Sequence, residues 1–253
     1  AAARLDELGD DDALVAALDA RVEELLVQAA GLAGELSTAR LEAAARLAAS
    51  VSEELAALAM GSTGLEVAVR RRAAGTAEVD LSIDGATYSA DRHGIDDIEF
   101  LLVTREAPEG RPLARSASGG ERSRVMLALE VVFAGLDPVP TFVFDEVDAG
   151  VGGKAAIEVG HRLALLARTA QVIVVTHLAQ VAAFADHHVV VRPGTVTAAS
   201  ISYVAGPERV AELARMLGGQ EDSATAAAHA EELLDLAAER LSAGRSARRG
   251  SRR

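Results

Sequence analysis

The sequence predicts an α/β fold built on a parallel sheet and preceded by a helical arm, and three observations predict it. Residues 141–145, Thr-Phe-Val-Phe-Asp, form an apolar run without polar alternation that ends in the adjacent acids Asp145 and Glu146. Residues 171–176, Gln-Val-Ile-Val-Val-Thr, repeat that pattern and are followed by His177. Short β-branched and aromatic runs of this kind suit strands buried on both faces of a parallel sheet. The third observation is the lead-in. Residues 1–60 are rich in Ala, Leu and Glu, contain no proline, and carry apolar residues at alternating spacings of four and three.

The arm has two series. Leu18, Val22, Leu25, Ala29, Leu32 and Leu36 make one seam, and Ala44, Leu47, Val51, Leu55 and Leu58 continue the rhythm in a shifted register. Gly31 and Gly34 are poor interior helix residues and mark an expected break between the two. Two readings fit: a returning coiled-coil arm whose partner lies in other sequence, or an amphipathic helix pair packed on its own domain. Gly61–Gly64 is the expected helix stop. Residues 65–71, 76–83 and 95–104 then alternate or run β-branched, with Gly75, Asp84-Gly85 and His93-Gly94 as turns, which predicts an antiparallel β section over 65–104.

The loop 107–115 delivers Ser118-Gly119-Gly120-Glu121, and a helical pattern of Val125, Leu127, Leu129, Val132 and Phe133 follows. A serine and two glycines opening a helix can serve as a plain N-cap or as an anion site. Bare backbone N–H groups approach a phosphate closely, and the helix dipole favours negative charge there. Upstream of a strand that ends in Asp-Glu, the anion site is the stronger reading. Acids at the carboxyl end of a parallel strand lie where open α/β sheets receive ligands. Asp145 can hold a hydrated magnesium ion and Glu146 can take a proton from water, the Walker B pattern of nucleotide hydrolases. His177 alone reads as a core or N-cap histidine. After the next strand, it becomes a donor for a terminal phosphate and the attacking water.

Residues 182–186 read as a helix, 189–192 and 200–204 as strands, and 208–217 and 225–241 as amphipathic helices. The end, 242–253, carries five arginines among small residues and reads as a disordered basic tail.

Composition excludes several classes. The 253 residues can bury one large core or two smaller ones. There is no cysteine, which removes disulfides, thiolate catalysis and Cys-based zinc sites and fits a reducing cytosol. No run approaches the roughly 20 apolar residues of a membrane helix, so no membrane partner is expected. A formal net charge of −13, no tryptophan and only two tyrosines argue against a self-sufficient duplex-binding or base-stacking domain. The chain opens in mid-helix at Ala1 without a methionine, and the expectation is a piece of a longer protein.

Three segments carry a family resemblance: Ala117-Ser118-Gly119-Gly120-Glu121, the run 144–153 (Phe-Asp-Glu-Val-Asp-Ala-Gly-Val-Gly-Gly), and the run 175–182 (Val-Thr-His-Leu-Ala-Gln-Val-Ala). They closely resemble the RecN family of bacterial DNA-repair proteins, which are SMC-like ATPases with an ABC-type head. Val147-Asp148 stands where ABC transporters usually carry Pro-Thr, as in SMC-like proteins, and Gly150, Gly152 and Gly153 point to RecN within that group. The likeness reaches from the helices before Gly61 to the run 212–219.

The resemblance implies a division of the chain and a role for each motif. Residues 1–60 would end a returning coiled-coil arm. Residues 61–241 would form the C-terminal lobe of an ABC-type head, with the signature and Walker B core at 115–193 and further strands and helices at 194–241. Asp145 would hold Mg2+ and Glu146 would be the general base. Ser118, Gly119, Gly120 and Glu121 would form the signature motif that contacts ATP held by a second protomer. Asp148 would lie in the loop that crosses that interface, and His177 would be the switch histidine. The implied partners are the N-terminal half of the same protein, a second protomer in an ATP-bridged homodimer, and DNA, in a cytoplasmic and nucleoid-associated setting.

One departure limits the chain. No G-x-x-x-x-G-K-[ST] is present. Gly153-Lys154 is the near match, and it fails because Asp148 occupies the first glycine position and Ala155 replaces Ser or Thr. In the family the P-loop belongs to the N-terminal half, so this chain alone is expected to be inactive. The rival readings are the head of another SMC-like or ABC ATPase and a non-catalytic scaffold.

Overall fold

The computed structural model describes residues 2–76, 79–116, 119–134, 139–192, 200–218 and 223–250, with side chains outside 2–12, 116 and 243–250. The chain divides into two compact units, one of residues 1–48 and 65–101, the other of 49–64 and 102–253. The elements in order are α1 (Ala2–Ala57), β1 (Thr63–Arg71), β2 (Val79–Ile83), β3 (Ala86–Ala90), β4 (Asp96–Thr104), β5 (Arg111–Pro112), α2 (Leu113–Ser116), α3 (Gly119–Val132), β6 (Thr141–Asp145), α4 (Lys154–Leu166), β7 (Gln171–Val175), α5 (Ala179–Ala182), β8 (His188–Arg192), β9 (Ser200–Val204), α6 (Gly206–Gly218) and α7 (Ala224–Gly250). The mixture of helices with a parallel strand pair is the α/β class expected. Among the described residues no helix is long and apolar enough to cross a membrane.

The first unit sets a hairpin against a helix. β2 and β3 pair antiparallel through Asp84 and Gly85, both with positive φ (53° and 80°), the signature of a two-residue type I′ turn. The hairpin buries Leu81, Ile83 and Ala90 with Ile95 against Ala29, Ala30 and Ala33 of α1. On the same helix face, Ser37 donates to Asp96 Oδ1 at 2.8 Å and Arg40 donates to Oδ2 at 3.0 Å, so the carboxylate that opens β4 is paired and hydrogen-bonded. The expected break at Gly31 and Gly34 does not occur. Each glycine costs about 1 kcal/mol relative to alanine in a helix interior, and α1 absorbs that within a long run of strong helix formers. The first seam stays open, with Leu18, Val22, Leu25, Leu32 and Leu36 all exposed.

The second series behaves differently. Val51, Leu55 and Leu58 are fully buried in the second unit. The helix stop lies before Gly61: Ala59 takes a left-handed backbone (φ 61°), and the Met60 N–H closes on the Leu55 carbonyl at 2.9 Å, a Schellman ending.

In the second unit, β6 and β7 are parallel and in register from Thr141↔Gln171 to Asp145↔Val175. The expected burial on both faces is not found. Val143, Ile173 and Val175 are exposed while Phe144 is buried, because among the described residues helices α3 and α4 cover one face only. The helical turn expected at 182–186 falls earlier, at α5. Ala179, Ala182 and Phe184 pack with Leu213, Ala230 and Leu233 in a core shared by α5, α6 and α7. A part-buried ion network ties three helices: Arg162 donates to Glu54 of α1 at 2.9 Å and to Glu158 at 2.5 Å, and Arg240 of α7 also meets Glu158. The last helix runs on past Leu241 to Gly250, and residues 251–253 of the expected tail lie outside the described residues.

Candidate functional site

Parallel pairing brings two strand ends together. Asp145 closes β6 opposite Val175 of β7, so Glu146 and His177 follow adjacent strand ends at the same end of the sheet. Asp145, Glu146 and His177 are all exposed, and the imidazole of His177 keeps 78% of its surface open. Glu146 adopts a left-handed backbone with φ 57°, the conformation that turns the chain sharply after the strand. The turn is closed by the Ala149 N–H on the Glu146 carbonyl at 3.0 Å.

Helix α3 packs its glycine start onto this turn. A Cβ at Gly119 would stand 2.9 Å from Glu146 Oε2, and one at Gly120 would stand 2.9 Å from Ala149 Cβ and 3.1 Å from the Glu146 carbonyl oxygen. At Gly120 only glycine permits that approach, whereas the neighbour of Gly119 is the movable end of a side chain. The carboxylate of Glu146 thus lies against the amino end of α3, where the helix dipole favours negative charge. Ser118 lies outside the described residues, and Glu121 sits in the first turn of α3. An open depression of about 400 Å³ borders Gly119, Arg122, Ser123, Asp145 and Glu146.

Three residues that the sequence pattern does not single out hold the turn. Ser123 donates to the Asp145 carbonyl at 3.0 Å. Arg124, buried, donates to the carbonyls of Ala149 at 2.7 Å and Val147 at 3.5 Å. Burial pushes its guanidinium below the ordinary value, and the Glu121 carboxylate opposes that shift. Thr176 donates its hydroxyl to the buried carboxylate of Asp148 and accepts the Leu178 N–H at 3.0 Å. The Asp148 side chain is only 3% exposed, and its Oδ2 also lies 3.6 Å from His177 Nδ1. Asp148 therefore points inward to the His177 loop of its own chain. A threonine beside a histidine is a visible signal, but its contact with Asp148 spans 28 residues and is invisible in the sequence.

The donor set decides what ion could bind. Among the described residues no three of His, Asp and Glu gather into a metal-binding group. One or two exposed carboxylates at a strand end fit magnesium, which keeps several waters and phosphate oxygens in its shell and takes few ligands from protein.

Comparison with known proteins gives the chain its family. No protein-family model matches it. It is 55% identical over 219 residues to a protein named DNA repair protein RecN from Streptomyces coelicolor, a match that covers 85% of this chain and 38% of that protein. It is 49% identical over 243 residues to the protein of the same name from Mycobacterium tuberculosis, covering 94% of this chain and 41% of the relative. A solved Smc head domain with coiled coil and joint from Pyrococcus yayanosii is similar at a TM-score of 0.47 and 18% identity, over 66% of this chain and 28% of that one. By sequence the chain is a segment of the RecN family, spanning well under half the length of the relatives that it matches.

Proposed function

We propose that this chain is the part of a RecN-type ATP hydrolase that carries the catalytic carboxylates, the signature glycines and the switch histidine of its head. The carrying observation is the convergence of Asp145, Glu146 and His177 at the ends of two parallel strands in register. Asp145 would bind magnesium, which when bound neutralises charge on the phosphate oxygens. Glu146 accepts a proton from the attacking water. Its exposure leaves room for that water and for the nucleotide. His177 meets the attacking water from the neighbouring strand end, its outward ring nitrogen accepting a hydrogen bond. Gly119, Gly120 and Glu121 open α3, and together with Ser118 they serve ATP held by a second protomer. In that engaged state, phosphate takes over the helix end that the Glu146 carboxylate now faces.

The missing phosphate cradle belongs to the N-terminal half of the same protein, with the arm that pairs with the exposed seam of α1. The exposed face of β6 and β7 is the natural seat for that half. Head engagement driven by ATP would then serve double-strand-break repair on DNA in the cytoplasm and nucleoid.

Glu146→Gln in the full-length protein tests this reading. Loss of a general base lowers turnover by about 10²–10⁴-fold, and the variant accumulates as an ATP-bridged dimer. Turnover near that of the unmodified protein overturns the assignment. This chain alone is expected to be silent, and to turn over ATP only when mixed with the N-terminal half.

A further inference from the structure

We propose that Thr176 is a positioning residue that, through the buried carboxylate of Asp148, fixes the ring orientation and tautomer of His177. This rests on the hydrolytic reading above and adds a residue to it. Oδ2 of Asp148 accepts the Thr176 hydroxyl and is also the oxygen nearest His177 Nδ1, at 3.6 Å. A small rotation of the exposed imidazole closes that gap to a hydrogen bond. A carboxylate facing Nδ1 selects the tautomer with the proton on Nδ1 and leaves Nε2 directed outward. The same logic orients the histidine in catalytic triads, where a buried acid holds the ring without itself reacting.

Three features make Asp148 a fixed point. Its carboxylate is almost wholly buried. The carbonyls on either side of it, Val147 and Ala149, are both held by the Arg124 guanidinium from α3. Thr176 is itself locked by the Leu178 N–H, which restrains its hydroxyl. The signature helix, the turn after Glu146 and the His177 loop are thereby joined by Arg124 on one side and Thr176 on the other. A shift of α3 is transmitted to the imidazole through two side chains. Among the described residues, Thr176 supplies the hydroxyl that meets the Asp148 carboxylate.

The experiment uses the full-length protein with Thr176→Val, Thr176→Ser and Glu146→Gln. Thr176→Val removes the hydroxyl at nearly constant shape. It is expected to lower kcat about tenfold, the effect of losing one hydrogen bond to a charged group. KM for ATP and the affinity for a non-hydrolysable ATP analogue stay within about twofold. Thr176→Ser restores kcat. Ring-nitrogen NMR of His177 reads the tautomer directly: one Nδ1-protonated form in the unmodified protein and a mixture in Thr176→Val. Should Thr176→Val melt far below the unmodified protein, Asp148→Asn decides, with the same fall in kcat and the same tautomer mixture expected. Turnover abolished by Glu146→Gln but unchanged in Thr176→Val, with an unchanged tautomer, overturns this inference alone. Absence of turnover in the unmodified protein overturns the hydrolytic reading and this one with it.

Discussion

Among the described residues two aspartates are almost completely buried, and they are satisfied in opposite ways. Asp96 at the start of β4 has an arginine on one oxygen and a serine hydroxyl on the other. Asp148 in the turn after β6 has a threonine hydroxyl and a neighbouring histidine, and the nearby Arg124 addresses the carbonyls beside it rather than the carboxylate. Burying a carboxylate costs several kcal/mol unless a cation or strong donors compensate. At Asp96 the compensation is permanent, because arginine does not titrate. At Asp148 it depends on a hydroxyl and on the position of an exposed imidazole. The first arrangement fastens a hairpin to a helix, whereas the second leaves a carboxylate free to respond to its histidine.

The largest expected effect that can break this contrast is on stability. Asp96→Ala strands Ser37 and Arg40, and full-length protein carrying it should lose about 2–3 kcal/mol in denaturant unfolding, toward the low end for a broken pair because Arg40 keeps some water. Turnover per folded molecule should hold. Asp148→Ala should cost about 1 kcal/mol or less while turnover falls. Equal destabilisation by both variants would erase the distinction.

The turn that carries Asp148 can also be pushed from outside. Gly120→Ala drives a Cβ into Ala149 and the Glu146 backbone, which cannot yield, and about 1–2 kcal/mol of stability should go with it. Gly119→Ala meets only the end of the Glu146 side chain. It should fold normally and lose turnover, measured as kcat on protein of unchanged melting temperature.

The smallest effect sharpens the comparison through pH. His161 and His188 are half-buried, and burial holds both below the ordinary histidine value of 6.5. In the folded state they stay neutral where the unfolded chain already binds protons. Stability therefore falls as pH drops from about 6.5, until the folded groups protonate too. Glu158, held low by Arg240 and Arg162 against the opposing pull of burial, adds a second decline in more acid solution. It supports the fold above the unfolded glutamate value and ceases to do so as pH falls through its lowered one. Urea melts across that range check both slopes, and His161→Gln should flatten the upper one.

Legibility in the sequence depends on range. Strand ends, the type I′ turn at Asp84-Gly85 and the start of α3 at Gly119 are local matters, and each can be read from neighbouring residues. Strand β3 escapes such a reading because Ala-Thr-Tyr-Ser-Ala lacks a β-branched run and takes its pairing from the hairpin. Burial of β6 on both faces is not met within this chain, because an apolar run reports that a strand can be covered, not which elements cover it. Seams in α1 look alike, yet Leu55 is buried and Leu25 exposed, a difference decided by distant elements that pack on one half of the helix only. In the candidate site, Asp145, Glu146 and His177 are visible as strand-end residues. Arg124 and Thr176 are not, because their partners lie 25 and 28 residues away.

Glu146, the base in the proposed reading, holds a backbone that L-residues other than asparagine and aspartate rarely adopt. Any selection for heat resistance alone would therefore enrich Gly or Asn at this position, since both relieve the left-handed conformation. The survivors would be sturdier proteins without a base. Laboratory evolution of a more robust variant would need to score activity in every round, because at residue 146 the fittest fold and the working enzyme are different sequences.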